Sequence, residues 1–157
     1  MQIRTFTADD ADALALLYRD SVRGLGRQAY SPAHLEAWAK FVDDVDAFRA
    51  RALQGVSLVS LEGDELAALG QLHPSDCIAL LYCATRFARR GHATALYLRL
   101  EALAREQGIT RLWTTASKVS RPLFEKHGFR LFETERSVFN GAEFERYKME
   151  KLLRTST

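Results

Sequence analysis

The sequence predicts a mixed α/β domain built on one central sheet. Three observations lead there. Apolar runs of strand character alternate with helix-periodic stretches through the middle of the chain, the pattern of a strand–helix–strand unit. Asn140-Gly141, the strongest short hairpin signal, separates two strand-like segments near the C-terminus. No Pro-, Gly- or Ser-rich stretch interrupts the 157 residues, so a single unit is expected over residues 1–153, with a frayed tail at 154–157.

Each element has a local reason. Residues 2–6 (QIRTF) alternate and read as the first strand. Thr7 with Asp10 makes a capping box, and the helix that follows turns Leu14, Leu17 and Tyr18 inward and should stop before Gly24. A loop is expected over 24–30. Ser31-Pro32 pairs an N-cap with proline at the first helical position, opening a second helix with Leu35, Trp38 and Ala39. A further short helix is expected at 43–53. Two apolar runs split by Glu62-Gly63-Asp64 form a hairpin. CIALLYCA (77–84) is a continuous apolar run and reads as a strand buried on both faces. Residues 90–107 are helix-periodic and end at Gly108, 110–115 is a strand, and 118–127 is a shorter helix ending at Gly128. The strand–helix–strand stretch 77–115 should be a right-handed parallel crossover, and the rest of the sheet antiparallel.

Composition narrows the function. With 47% hydrophobic and 27% charged residues the chain is ordinary for a globular protein. A net charge of +2, from 22 basic and 20 acidic residues, gives no support to nucleic-acid binding. No apolar run approaches the ~18 residues of a membrane span, and MQIRTFTADD lacks an apolar signal segment. No membrane partner is therefore expected. Cys77 and Cys83 share one apolar segment and read as reduced core residues, which with the absent signal points to the cytoplasm. Two cysteines alone cannot complete a zinc site and no histidine pair supplies the missing ligands, so no metal is expected.

The chemistry concentrates in Arg86–Ala95 (RFARRGHATA), which joins the buried strand to an amphipathic helix. A helix N-terminus offers unpaired N–H groups and partial positive charge, a natural phosphate site. Gly91 and Ala93 lack bulk, so a ligand can approach the backbone; Thr94 adds a hydroxyl, and Arg86, Arg89 and Arg90 can complement further phosphates. A plain loop with solvated arginines would look similar. A P-loop is disfavoured, because the Gly-Lys-Ser/Thr ending is absent.

Arg89-Arg90-Gly91-His92-Ala93 resembles the acyl-CoA signature of the GCN5-related N-acetyltransferases (the GNAT superfamily), Gln/Arg-x-x-Gly-x-Gly/Ala after the fourth strand, with Ala88 standing where Gln or Arg is usual. Downstream, Ser120–Phe129 (SRPLFEKHGF) resembles the segment that closes the GNAT core, and Ala116-Ser117 falls at the end of the fifth strand, beside the pantetheine arm. Tyr30-Ser31-Pro32, Leu35–Ala39 and Leu81-Tyr82-Cys83 are similar to a bacterial subgroup of small GNAT proteins. The resemblance implies a GNAT-like fold, a mostly antiparallel mixed sheet whose parallel unit is strand 77–84, helix 90–107 and strand 110–115.

The resemblance also implies transfer of the acetyl group of acetyl-CoA to an amine by direct attack in a ternary complex. It places Tyr82, Cys83, Arg89, Arg90, Gly91, His92, Ala93, Thr94 and Ser117 at the cofactor, the oxyanion donor being a backbone N–H around Tyr82 and Cys83. Tyr30 and Trp38 are the expected acceptor-side residues. Phe124 occupies the usual position of the tyrosine acid, leaving Tyr82, Tyr147, Ser117 or water to protonate the thiolate; Ala79 occupies the position of a frequent carboxylate. His73, whose type titrates near neutrality, is the candidate base. His34 and His127 read as helix-surface residues, His92 as a backbone donor, and Cys83 as core. Lys118, Arg121 and Lys126 could meet the 3′-phosphate. The acceptor would be a small-molecule or peptide amine, and a homodimer stays open. The alternative is a non-catalytic acyl-CoA-binding or sensor module, kept open by Phe124 and Ala79; a nucleotide-binding α/β domain is a third reading.

Overall fold

The computed structural model describes residues 1–154. Its seven strands form one sheet in the order β1-β2-β3-β4-β5-β7-β6: β1 (Gln2–Thr5), β2 (Val56–Glu62), β3 (Glu65–Leu72), β4 (Cys77–Cys83), β5 (Arg111–Ala116), β6 (Arg130–Phe139) and β7 (Ala142–Leu152). Every neighbouring pair is antiparallel except β4–β5, as the crossover at 77–115 requires. The helices are α1 (Ala11–Gly26), α2 (Pro32–Ala39), α3 (Val45–Ala52), α4 (His92–Glu106) and α5 (Arg121–Lys126).

The two faces of the sheet are covered by different helices. On β4, Tyr82 turns to Tyr18 of α1, with ring centroids 4.3 Å apart. Its neighbour Leu81 lies on the opposite face, beside Gly70 and the α4 residues Leu96 and Leu100. Successive side chains of a strand alternate in this way, so one strand touches both layers. Leu96, Leu100, Leu112 and Met149 are fully buried; trimming any of the leucines to alanine would cost about 2–5 kcal/mol.

The local signals form where expected. Asp10 accepts from the Thr7 N–H at 2.8 Å and from both terminal nitrogens of Arg4, fixing the corner between β1 and α1. Ser31 caps α2 by accepting from the His34 N–H. Asn140 and Gly141 turn the β6–β7 hairpin with φ of 49° and 83°, and Asn140 Nδ2 donates to the Ala37 carbonyl, tying that turn to α2.

Four expectations need correction. Helix α1 does not stop before Gly24 but continues to Gly26. Gly24 lies so close to Thr85 that a methyl group there would collide with its hydroxyl; the glycine permits close approach rather than ending the helix. Thr85 N–H also donates to Asp20 Oδ2 at 2.7 Å, binding α1 to the turn after β4. Second, helix α4 starts at His92 rather than residue 90, because Arg89 and Gly91 take left-handed φ of 64° and 87°. Third, α5 is shorter than 118–127, since Ser117 and Ser120 fold residues 117–120 into a hydroxyl-bonded turn. Fourth, β4 is not buried on both faces throughout: Ala79 is exposed, and Leu81 and Tyr82 are half-buried, because the second half of the strand faces a cleft. In the expected tail, the Arg154 carbonyl accepts from Arg105; residues 155–157 lie outside the described residues.

Candidate active site

The cleft begins where β4 and β5 part. They pair at Cys77–Trp113 and Ile78–Thr114, and no further. Past Ile78 the β5-facing edge of β4 is open. An irregularity at Gln71/Leu72 skips Ala79 in the β3–β4 register, which decides which groups face the gap. Ala84 N–H donates to the Ala67 carbonyl of β3. Backbone direction alternates along a strand, so Tyr82 also pairs with β3, while the N–H groups of Leu81 and Cys83 point into the gap. Of the backbone N–H groups around Tyr82 and Cys83, those of Leu81 and Cys83 thus face the gap, and the Tyr82 backbone is spent within the sheet.

One cavity of about 920 Å³ joins this gap to the start of α4 at one end and to an aromatic chamber at the other. At the α4 end the first helical bond runs from Ala95 N–H to the Gly91 carbonyl. The N–H groups of His92, Ala93 and Thr94 therefore have no helical partner. Left-handed residues at 89 and 91 make a concave run of amides, and nothing lies within 4 Å of where a Gly91 side chain would begin. The arrangement has the requirements of an anion site.

The candidate cofactor residues divide in the structure. Tyr82, Cys83, Arg89, Gly91, His92, Ala93, Thr94 and Ser117 all line the cavity. Arg90 does not: its guanidinium is 2.5 Å from Glu62 and 5.5 Å from the Phe87 ring. Arg86 likewise pairs with Glu65. The His92 ring is buried, with Nδ1 2.5 Å from Ser60 Oγ and Nε2 3.2 Å from Glu62. Its side chain fastens the first turn of α4 to β2, leaving its backbone N–H for the cavity. His92 and then Arg90 hold the Glu62 carboxyl below its usual range.

At the opposite end, Tyr18, Tyr30, Trp38, Phe41, Phe139 and Phe144 wall the chamber. Trp38 Nε1 donates to the Tyr18 hydroxyl at 2.9 Å, and the Tyr82 hydroxyl donates to the same oxygen at 3.4 Å. Burial raises the pKa of both tyrosines, so each is a neutral hydroxyl at physiological pH. Tyr30 accepts from the Lys118 N–H at 2.9 Å, leaving its ring against Trp38 and Phe144. Tyr18 was legible in the sequence only as a core residue; its hydroxyl becomes central once α2 and β4 bring Trp38 and Tyr82 to it.

The candidate acids and bases fare differently. His73 precedes β4, whereas the anion loop follows that strand, so a whole strand length separates them. His73 is absent from the cavity lining and is corrected from site base to loop residue. Tyr147 is buried on the α5 side beneath the Arg121 guanidinium, outside the cavity lining. Phe124 lines the cavity and is 1% exposed, packed on Tyr97 and Phe129. Cys83 is buried, which pushes its thiol up to about 11, outside the range of a reactive thiolate. His34 and His127 are not free surface residues: His34 bridges Ser31 and the Glu143 carbonyl, and His127 stacks on Tyr97 at 4.9 Å. Lys118 sits 5.4 Å over the Tyr30 ring and Arg121 pairs with Glu125. No aspartate or glutamate lines the cavity. Among the described residues no cluster of His, Cys, Asp and Glu is arranged to hold a metal ion, and no helix is long and apolar enough to cross a membrane.

Known proteins are similar to this chain in sequence and fold. A family model described as an acetyltransferase (GNAT) domain matches residues 27–151. The chain is 26% identical over 149 residues to the uncharacterized N-acetyltransferase YafP of Escherichia coli (strain K12), covering 95% of this chain and 94% of YafP. It superposes with a TM-score of 0.94 on a GCN5-related N-acetyltransferase from Rhodopseudomonas palustris, at 28% identity and with 97% and 95% of the two chains covered. PaiA N-acetyltransferase from Thermoplasma acidophilum, solved in complex with coenzyme A, shares the fold at 17% identity, with a TM-score of 0.79 over 97% of this chain and 98% of that one. With the parallel β4–β5 pair parting beside an amide-rich helix start, and the family match spanning most of the chain, this protein belongs to the GNAT family of acetyltransferases.

Proposed function

We propose that the chain transfers the acetyl group of acetyl-CoA to an amine by direct attack within a ternary complex. The observation that carries this reading is the gap between β4 and β5, which opens onto the unpaired N–H groups of α4. The amides of His92, Ala93 and Thr94, with Arg89 beside them, suit the pyrophosphate of a CoA ester. The Leu81 and Cys83 N–H groups suit an extended acyl-pantetheine lying along β4 like a missing strand. One of them would donate to the thioester oxygen as it gains charge. The coenzyme A seen in the Thermoplasma relative agrees with this use of the fold.

The amine must lose its proton to attack. At a pKa of about 10.4 only about 0.1% of an alkylamine is neutral at pH 7. No carboxylate faces the cavity and His73 lies elsewhere, so the proton leaves through hydroxyls and water. Tyr82, on the open part of β4, supplies one such hydroxyl, linked to Tyr18 and through it to Trp38. A thiol of pKa ~8.5 is a fair leaving group, so phenylalanine at 124 does not preclude turnover.

Phe124 and the absence of a cavity carboxylate favour one second reading, a binding module without catalysis. Titration calorimetry with acetyl-CoA, followed by acceptor-dependent thiol release, separates the two. Micromolar binding with turnover supports acetyl transfer; binding without thiol release from any amine leaves the binding module. No binding of acetyl-CoA or a longer acyl-CoA would remove both.

A further inference from the structure

The aromatic chamber has an uneven charge. Among the described residues the charged side chains lining the cavity are Arg51 of α3, Arg89 and Arg146 of β7, and Arg89 belongs to the α4 end. Arg51 has no ion pair among the described residues; its guanidinium lies 4.8 Å over the Phe41 ring. Arg146 is held only loosely by Glu135, at 3.8 Å, and Glu135 is closer to Lys148, at 3.3 Å. Two under-compensated cations therefore stand at the rim of an apolar box, far along the cleft from the α4 amides that suit phosphate.

We propose that this chamber selects an amine that also bears a carboxylate on an apolar or aromatic body, with Arg51 and Arg146 as the carboxylate partners and the Tyr30, Trp38 and Phe144 rings around the body. This rests on the acetyl-transfer reading and names its acceptor class. Aromatic walls alone would also suit a cation. Here the Phe41 face is already covered by Arg51, and among the described residues no carboxylate lines the cavity beside the two guanidiniums, so a purely cationic polyamine or lysine-like acceptor meets repulsion. A carboxylate is what planar, multiply donating guanidiniums recognise. The same cations disfavour the ammonium form of the acceptor, easing the deprotonation that the cavity has no carboxylate to perform. Burial raises the pKa of the Tyr18 and Tyr82 hydroxyls, and the Arg146 charge partly offsets that rise.

The test compares 3-phenylpropionate with its neutral isostere 3-phenylpropanamide by calorimetry, and phenylalanine with phenethylamine by thiol release. The wild-type protein should bind the carboxylate at least tenfold more tightly than the amide, and acetylate phenylalanine with at least tenfold higher kcat/KM than phenethylamine. Arg51→Gln and Arg146→Gln should each lose fivefold or more of the carboxylate affinity. The double variant should show no preference, while affinity for acetyl-CoA stays within twofold. Equal binding of acid and amide, no binding of either, preference for phenethylamine, or selectivity surviving in the double variant would overturn the proposal. Acetyl-CoA titration of the same samples keeps the two readings apart. If acetyl-CoA fails to bind, acetyl transfer falls, while the acid–amide comparison still judges the chamber.

Discussion

The two ends of the cleft are made in opposite ways. The α4 end is a short run of consecutive residues, 88–94, that presents mainly backbone amides. The opposite end is assembled from α1, α2, the turn after it, α3 and the β6–β7 hairpin, and presents side chains. Backbone amides recognise a constant ligand with little help from residue identity, so Ala88, Arg90 and His92 can depart from the family pattern or turn away. Side chains gathered from distant segments can be exchanged one at a time, so that end can change its surface without disturbing the other.

Gly91→Glu should have the largest effect. It places a carboxylate in the space where nothing lies within 4 Å, at a left-handed φ of 87°. Acetyl-CoA affinity should fall a hundredfold or more by calorimetry, with thermal stability reduced only by about 1–2 kcal/mol of backbone strain. Retained affinity would mean that the α4 end is not the phosphate site. Tyr82→Phe should come next. It removes one hydroxyl and leaves the ring, so kcat should drop about tenfold while KM for acetyl-CoA is unchanged; an unchanged kcat would reduce Tyr82 to packing. Phe124→Tyr should act more gently and in the other direction. A hydroxyl at the cavity wall should raise kcat a few-fold, most clearly below the thiol pKa of ~8.5, where a departing thiolate gains most from a proton. The smallest effect belongs to His73→Asn, which should leave kcat/KM within twofold and its pH profile unaltered. A pH dependence of kcat/KM that vanished in this variant would return His73 to the mechanism.

Legibility in the sequence follows the same division. Capping box, N-cap proline, Asn-Gly hairpin and the parallel crossover are short-range signals, and each formed where the residues indicated. Gly24 misled because a helix-ending glycine and a glycine admitting a neighbour look alike without the neighbour, here Thr85. Which N–H groups of β4 face the gap depends on the register irregularity opposite Ala79, and that leaves no mark in the strand's own composition. Arg90 was expected at the cofactor, yet its side chain is claimed by Glu62 of β2; the His92 ring is held by Ser60 and Glu62, which leaves free the backbone N–H that the sequence reading used.

Local sequence alone determined the element order, the crossover and the amide-rich start of α4, because capping, turn chemistry and periodicity act within a few residues. Only the tertiary structure decided that β4 and β5 part after Ile78, that Tyr18, Trp38 and Tyr82 share one hydrogen-bonded cluster, and that Arg51 and Arg146 face one chamber. These are contacts between segments far apart in the chain. Their geometry is set by how layers pack and how strands register, which no short stretch of residues encodes.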